Sequence, residues 1–143
     1  MRFSVTAVAA TLAATAQARI YGISVPETIK PGDKVDLKII SQGYIQRVDD
    51  IAIAFGYNSK AAAYPDTLGN LLDSFYLGPD ESNLGQAVIV KSVTFPNSIA
   101  TGEGVVSAGL YSLYGVSKGP TLSNYNVTIT FGDSTSTTYK NSF

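Results

Sequence analysis

Past Val25 the sequence is broken about every eight to twelve residues by turn-forming residues, and the stretches between the breaks are β-rich. No segment beyond the N-terminal run carries apolar residues at a 3.6-residue period over the length of a helix, so a helical fold is excluded. Arg19 to Val25 is short and β-branched and stops at Pro26. Lys30-Pro31-Gly32-Asp33 then reads as a turn, with proline pre-setting φ and glycine free to take positive φ. After it Val35, Leu37 and Ile39 alternate with Asp36 and Lys38, the pattern of a strand with one wet face. Asp49 to Tyr57 repeats the pattern and assigns Ile51, Ile53 and Phe55 to one face, Ala52 and Ala54 to the other. Leu71 to Leu77 is a weaker strand, ended by Gly78-Pro79-Asp80.

The second half is clearer. Ala87 to Phe95 carries Val88, Ile89, Val90 and Val93 before Pro96-Asn97, and its unbroken apolar run predicts a doubly buried end or a bulge. Gly102-Glu103-Gly104 opens a strand in which Val106, Ala108 and Leu110 share one parity up to Tyr114. In the last strand Tyr125, Val127, Ile129 and Phe131 face one way, and Asn126, Thr128 and Thr130 face the other. Ser59 to Ala63 and Thr67 to Asp73 each have room for one turn of helix at most. About seven strands in this arrangement predict an all-β fold, a single immunoglobulin-like antiparallel β-sandwich. The Cys…Trp…Cys core of immunoglobulin domains is missing, so the expectation covers architecture only.

The leading stretch MRFSVTAVAATLAATAQA has a different character. Arg2 precedes an apolar run from Phe3 to Ala14, and Ala16-Gln17-Ala18 supplies the small-x-small pattern that signal peptidase cuts after. The run falls short of the roughly 20 apolar residues a membrane span needs. Residues 1–18 therefore read as a signal peptide cut between Ala18 and Arg19, with the sandwich over 19–133 and a Ser/Thr-rich tail over 134–143, and the biased stretch Asp133 to Thr138 is expected to be mobile or O-glycosylated. Removing 18 of 143 residues leaves 125, enough for one domain with a real core and too few for two. Without Arg2 the balance is nine basic residues against eleven acidic, with no excess to attract nucleic acid or an anionic membrane. The expected mature protein is a free, soluble, secreted monomer with no integral membrane segment.

Composition removes whole classes of chemistry. The chain has no cysteine, histidine or tryptophan. Zinc sites, haem ligation, thiol nucleophiles and histidine acid–base catalysis all depend on imidazole or thiolate. Stability must come from packing without disulfides. Asp49-Asp50 is an adjacent carboxylate pair, but strand neighbours point to opposite faces and cannot flank a glycosidic bond together. These acids, and Asp80-Glu81 in its Gly-Pro turn, read as solvated. Asp66, Asp73, Asp80 and Glu81 lie in or beside loops without the spacing of a calcium loop. The expectation is no enzyme, no catalytic residue, no cofactor and no metal.

Three further features remain. Nine tyrosines and six phenylalanines have the makings of a sugar-stacking platform, but most, such as Phe55, Tyr125 and Phe131, sit at core parity; Tyr57, Tyr64, Tyr76 and Tyr114 fall nearer strand ends. Asn126-Val127-Thr128 is an N-glycosylation sequon, and its parity leaves Asn126 on the polar face, free to carry a glycan. For protein contacts, the turn Gly78-Pro79-Asp80-Glu81, the segment Tyr111 to Tyr114 and the tail from Ser134 are the exposed candidates, with no single residue assignable.

Six segments carry a resemblance: Ile23-Ser24-Val25-Pro26-Glu27-Thr28-Ile29-Lys30-Pro31-Gly32-Asp33, Gln42-Gly43-Tyr44-Ile45-Gln46, Asp50-Ile51-Ala52-Ile53-Ala54-Phe55-Gly56, Ser74-Phe75-Tyr76-Leu77-Gly78-Pro79, Tyr111-Ser112-Leu113-Tyr114-Gly115 and Ser134-Thr135-Ser136-Thr137-Thr138-Tyr139. In this order, and in a cysteine-free chain, they resemble the necrosis-inducing secreted protein family of small fungal effectors, from about Arg19 to Tyr139. The family has no catalytic motif to carry over. The resemblance implies an effector that suppresses plant pattern-triggered immunity by binding immune receptor-like kinases and receptor-like cytoplasmic kinases, impairing kinase function, and in some members provoking host cell death. It also implies a destination in the host cytoplasm, a second membrane crossing for which no signal is visible downstream of the leader. The competing readings are a carbohydrate-binding or wall-associated module and a structural surface protein of the fungus.

Overall fold

The computed structural model describes residues 17–143, so residues 1–16 of the expected leader lie outside it. Two sheets pack face to face. Strands β1 (Ala18–Pro26), β3 (Lys34–Gly43), β6 (Ala87–Thr94) and β9 (Tyr139–Asn141) form one, in the order β6-β3-β1-β9. Strands β2 (Thr28–Ile29), β4 (Val48–Ser59), β5 (Asn70–Tyr76), β7 (Gly102–Tyr114) and β8 (Gly119–Phe131) form the other, in the order β2-β8-β7-β4-β5. The fold is the expected all-β sandwich, with β1, β3 and β6 taking the immunoglobulin A, B and E places and β4, β7 and β8 the C, F and G places.

Two short strands raise the count above the expected seven. At Pro26-Glu27 the chain leaves the first sheet, and Thr28–Ile29 joins the second by pairing in parallel with Thr130–Phe131, the one parallel pair among the described residues. The Lys30-to-Asp33 turn follows as expected: Asp33 N–H donates to Lys30 O at 3.1 Å, and Gly32 has φ +93°. Lys60–Ala62 is a 3-10 turn, capped by the Ser59 hydroxyl, which accepts from Ala62 N–H at 3.3 Å. Thr67 to Asp73 holds no helical turn; it leads into β5, whose backbone is satisfied by β4.

The core is the interior between the sheets. Val35, Leu37 and Ile39 from β3, Val106, Ala108 and Leu110 from β7, and Val127, Ile129 and Phe131 from β8 are buried, at the parities the alternation predicts. Phe55, Phe95 and Phe131 are fully enclosed. Tyr57 packs on both Phe95 and Phe131, with ring centroids 6.2 and 6.3 Å away, so it belongs to the core margin rather than to the surface. Burying each such ring contributes about 1.5–3 kcal/mol, which is how a chain without disulfides holds together.

The segment from Ser134 corrects the expectation of a mobile tail. Tyr139, Lys140 and Asn141 pair antiparallel with Pro26, Val25 and Ser24. Before them, Ser136 N–H donates to Thr28 O at 2.9 Å, and Thr135 Oγ1 accepts from Lys30 N–H at 3.0 Å while donating to Asp33 Oδ2 at 2.7 Å. Tyr139 donates its hydroxyl to Asp36 O at 2.9 Å, and Lys38 Nζ lies 3.8 Å from the centre of its ring. Hydroxyls that look like a solvated run in the sequence are thus occupied as partners of strand ends.

Candidate partner-binding face

β4 sets the geometry of the candidate site through one extra residue. Asp50 pairs with Ser112, yet Ala52 pairs with Tyr111, so Ile51 is a bulge. The bulge reverses the parity predicted at the start of the strand: Asp50, not Ile51, points inward with Ile53 and Phe55. The expected solvated acid is therefore buried, only 1% exposed. Ser112 Oγ donates to Asp50 Oδ1 at 2.6 Å, and Ile20 N–H reaches Asp50 Oδ2 at 3.4 Å. Asp50 N–H donates to Ser82 Oγ at 2.7 Å, and Ser82 Oγ donates to Val48 O at 3.2 Å. Burial pushes the Asp50 carboxyl above the ordinary carboxylate range, partly opposed by the Ser112 hydrogen bond. Both members of this hydroxyl–carboxylate pair are buried on adjacent strands of the five-stranded sheet, and the Ile20 N–H contact ties Asp50 to the other sheet.

Tyr125 does related work nearby. Its hydroxyl donates to Ile20 O at 3.1 Å, and burial pushes the phenol up to about 12. Asp49 points the other way, to Arg47 at 3.1 Å and to Lys118, and the Lys118 hydrogen bond holds its carboxyl below the usual range. The two adjacent acids thus have opposite environments, and they do not act as a pair.

Outward from the same bulge the five-stranded sheet presents an apolar row. Register aligns Tyr76 of β5, Ala52 of β4, Tyr111 of β7 and Leu122 of β8 side by side across four strands. Tyr76 is 73% exposed, Tyr111 40% and Leu122 76%, with Ala52 as a low step between the tyrosines. Below this row the floor drops to Ala54 and Gly109, while Leu68 of the β4–β5 connection closes over Gly56. Large exposed side chains in register on a rigid sheet form a surface suited to contact with another protein.

The sequence candidates distribute unevenly over this face. Of Tyr111 to Tyr114, Tyr111 is in the row, Ser112 is buried on Asp50, and Tyr114 stacks edge-on against Tyr44 with centroids 6.0 Å apart. The Gly78-to-Glu81 turn adjoins the row, because the Tyr76 ring folds back over Gly78 into the space a side chain would take, and the φ of +57° there favours glycine. Pro79 and Asp80 are exposed there, while Glu81 pairs with Lys91. The segment from Ser134 lies on the other sheet, so the structure unites two of the three candidates and separates the third. Leu122 is marked by no sequence signal; only the register with Tyr111 reveals it.

The remaining predicted positions can be placed as well. Asn126 is exposed on the outer face of β8, opposite Ser107, and lines a depression with Tyr64, Pro65 and Asp66. Lys60 donates to Thr128 of the sequon at 3.3 Å. Tyr64 is 78% exposed beside Asn126. Ala18 is the first residue of β1 and is buried, with its N–H on Asn83 Oδ1 at 2.6 Å; the Arg19 guanidinium lies 4.4 Å from the centre of the Tyr44 ring. The expected cleavage point between Ala18 and Arg19 therefore lies within a strand. Among the described residues no group of three or more His, Cys, Asp or Glu is gathered for a metal, and no helix is long and apolar enough to cross a membrane.

These features define a small immunoglobulin-like sandwich with an exposed apolar row across its five-stranded sheet. Comparison with known proteins gives it a family. The chain belongs to the Nis1 family, whose profile matches residues 16–130. It is similar to necrosis-inducing secreted protein 1 of Colletotrichum higginsianum, 60% identical over 133 residues that cover 93% of this chain and 92% of the relative. It is also similar to necrosis-inducing secreted protein 1 of Colletotrichum orbiculare, 54% identical over 133 residues covering 93% of this chain and 82% of that protein.

Proposed function

We propose that this protein is a secreted, necrosis-inducing effector that works by binding and not by catalysis. Its targets in this reading are plant immune receptor-like kinases and receptor-like cytoplasmic kinases, whose activity it impairs, so that pattern-triggered immunity is suppressed. The observation that carries the reading is the 60% identity, over nearly the whole of both chains, to a protein named for secretion and necrosis. The kinase targets rest on the family resemblance of the six segments quoted above. The row of Tyr76, Tyr111 and Leu122 is the contact surface we assign, since tyrosines are among the side chains that dominate interface energetics and Leu122 extends the apolar area beside Tyr111.

The test is co-purification of the secreted protein with plant receptor-like and cytoplasmic kinases, together with the oxidative burst of leaves expressing it. Retention of a kinase and a diminished burst are expected. Absence of kinase retention with an undiminished burst would overturn the proposal, and binding to a glycan array instead would favour a carbohydrate-binding module.

A further inference from the structure

One end of the sandwich carries two aliphatic side chains that nothing in the described fold covers. Ile45, between β3 and β4, is 90% exposed, and Val116, between β7 and β8, is 101% exposed. The two connections are tied together, because Gly115 N–H donates to Arg47 O at 2.9 Å, and Lys118 N–H closes the second turn on Gly115 O at 3.3 Å. Ile45 and Val116 therefore line one shared depression, with Arg47 and Lys118 at its margin. Single exposed aliphatics are ordinary on protein surfaces. Two of them on tethered loop tips, with a cation beside each, are a specific arrangement.

The residues behind the tips continue the pattern. Tyr44 and Tyr114 are half-buried and stack edge-on, and the Arg19 guanidinium lies on the Tyr44 ring. Two exposed cations, Arg47 and Lys118, thus share one partly exposed acid, Asp49, while the half-buried Arg19 stays on the Tyr44 ring behind them. The whole chain is slightly acidic, so this end is basic against the sign of the molecule. The nearest other acids are on the turn before Ser82, whose hydroxyl bonds Val48 O at the start of β4: Asp80 is exposed there, and Glu81 is occupied by Lys91. Projecting aliphatics, tyrosines one layer behind and flanking cations reproduce the depth profile of a lipid leaflet: acyl boundary, headgroup level and phosphate.

We propose that this end docks on an anionic lipid bilayer. Ile45 and Val116 enter the boundary between headgroups and acyl chains, while Arg47 and Lys118 exchange part of their pairing with Asp49 for lipid phosphates. The inference is independent of kinase binding, because the Tyr76-to-Leu122 row lies on the outer face of a sheet and the docking tips lie at its end.

The experiment is co-sedimentation of protein recovered from culture fluid with vesicles of phosphatidylcholine alone or mixed with phosphatidylserine. Binding to the mixed vesicles, little to phosphatidylcholine alone, and release at high salt are expected. An Ile45→Ser/Val116→Ser double variant is expected to lose about tenfold in affinity for the mixed vesicles. Its thermal unfolding stays unchanged, since neither side chain is packed, and a Leu122→Ser variant binds vesicles like the wild type. Equal sedimentation with both vesicle types, none with either, or an undiminished double variant would overturn the proposal. Sedimentation without vesicles that the double variant abolishes would also overturn it, by making this end a contact between copies of the chain.

Discussion

Ser112 and Asp50 face each other across β7 and β4 with neither side chain reaching solvent, and the Ser112 hydroxyl donates to the Asp50 carboxylate at 2.6 Å. That contact fixes the Ile51 bulge, and the bulge turns Ala52 outward between Tyr76 and Tyr111. The buried polar link and the exposed apolar row are two sides of one irregularity.

Ser112→Ala removes the hydroxyl that offsets a buried carboxyl and is expected to cost about 1–3 kcal/mol. Asp50→Asn keeps an acceptor for Ser112 and removes the buried charge, so its cost near neutral pH is expected to be smaller. Urea unfolding of both variants measures the difference.

The raised Asp50 pKa has a signed consequence. Above the ordinary value of 3.8 the folded protein holds this proton where the unfolded chain releases it. The stabilisation is therefore fully present below that value and is lost as pH rises through the folded pKa. Relative to Asp50→Asn, the wild type is expected to lose stability with rising pH in this window and to level off above it. Asp49 has the opposite sign, its lowered pKa adding stability that is lost on acidification, but it is present in both proteins and cancels from the comparison. Unfolding midpoints of the two proteins across acid to neutral pH check the sign.

Thr135 bridges Lys30 N–H and the Asp33 carboxylate, so Thr135→Ala is expected to destabilise by about 1 kcal/mol. Deleting residues 134–143 is expected to do more. It strips β1 of its partner β9 and leaves a free edge at Ser24 to Pro26, which limited proteolysis would register as faster cleavage. Loss of biological activity in such a truncation is then to be read together with its stability.

Gly104 lies against the ring of Phe131, inside the reach of any β-carbon placed there. Gly104→Ala is expected to overpack the core and cost about 1–3 kcal/mol, measured as a lowered Tm.

Much of the sandwich is legible from alternation, because β3 and β8 each bury one parity without interruption, and β7 does so from Val106 onward, past the consecutive burial of Gly104 to Val106. Asp50 is misread because a bulge leaves no mark in the residue pattern: Ile51 is as apolar as Ile53, and only pairing with β7 shows that it is the extra residue. The strand at Tyr139 is hidden for a related reason. Three residues are too few for a period, and the hydroxyls before them resemble a solvated run until their partners are known. The binding row is legible only in part. Tyr76 stands out as an aromatic near a strand end and Tyr111 as the start of the Tyr111 to Tyr114 contact segment, whereas Leu122 joins them through register, a property of paired strands and not of either alone.

Replacement of Tyr76, Tyr111 and Leu122 by serine leaves the core untouched and is the most direct test of action by binding through this face. Co-purification of the secreted wild type and triple variant with plant receptor-like and cytoplasmic kinases, at matched Tm, is the measurement. Kinase retained by the wild type and reduced at least tenfold in the variant is the expected result, in line with the loss of several interface anchors. Equal retention by both proteins would contradict the assigned face, and retention by neither would contradict kinase binding itself.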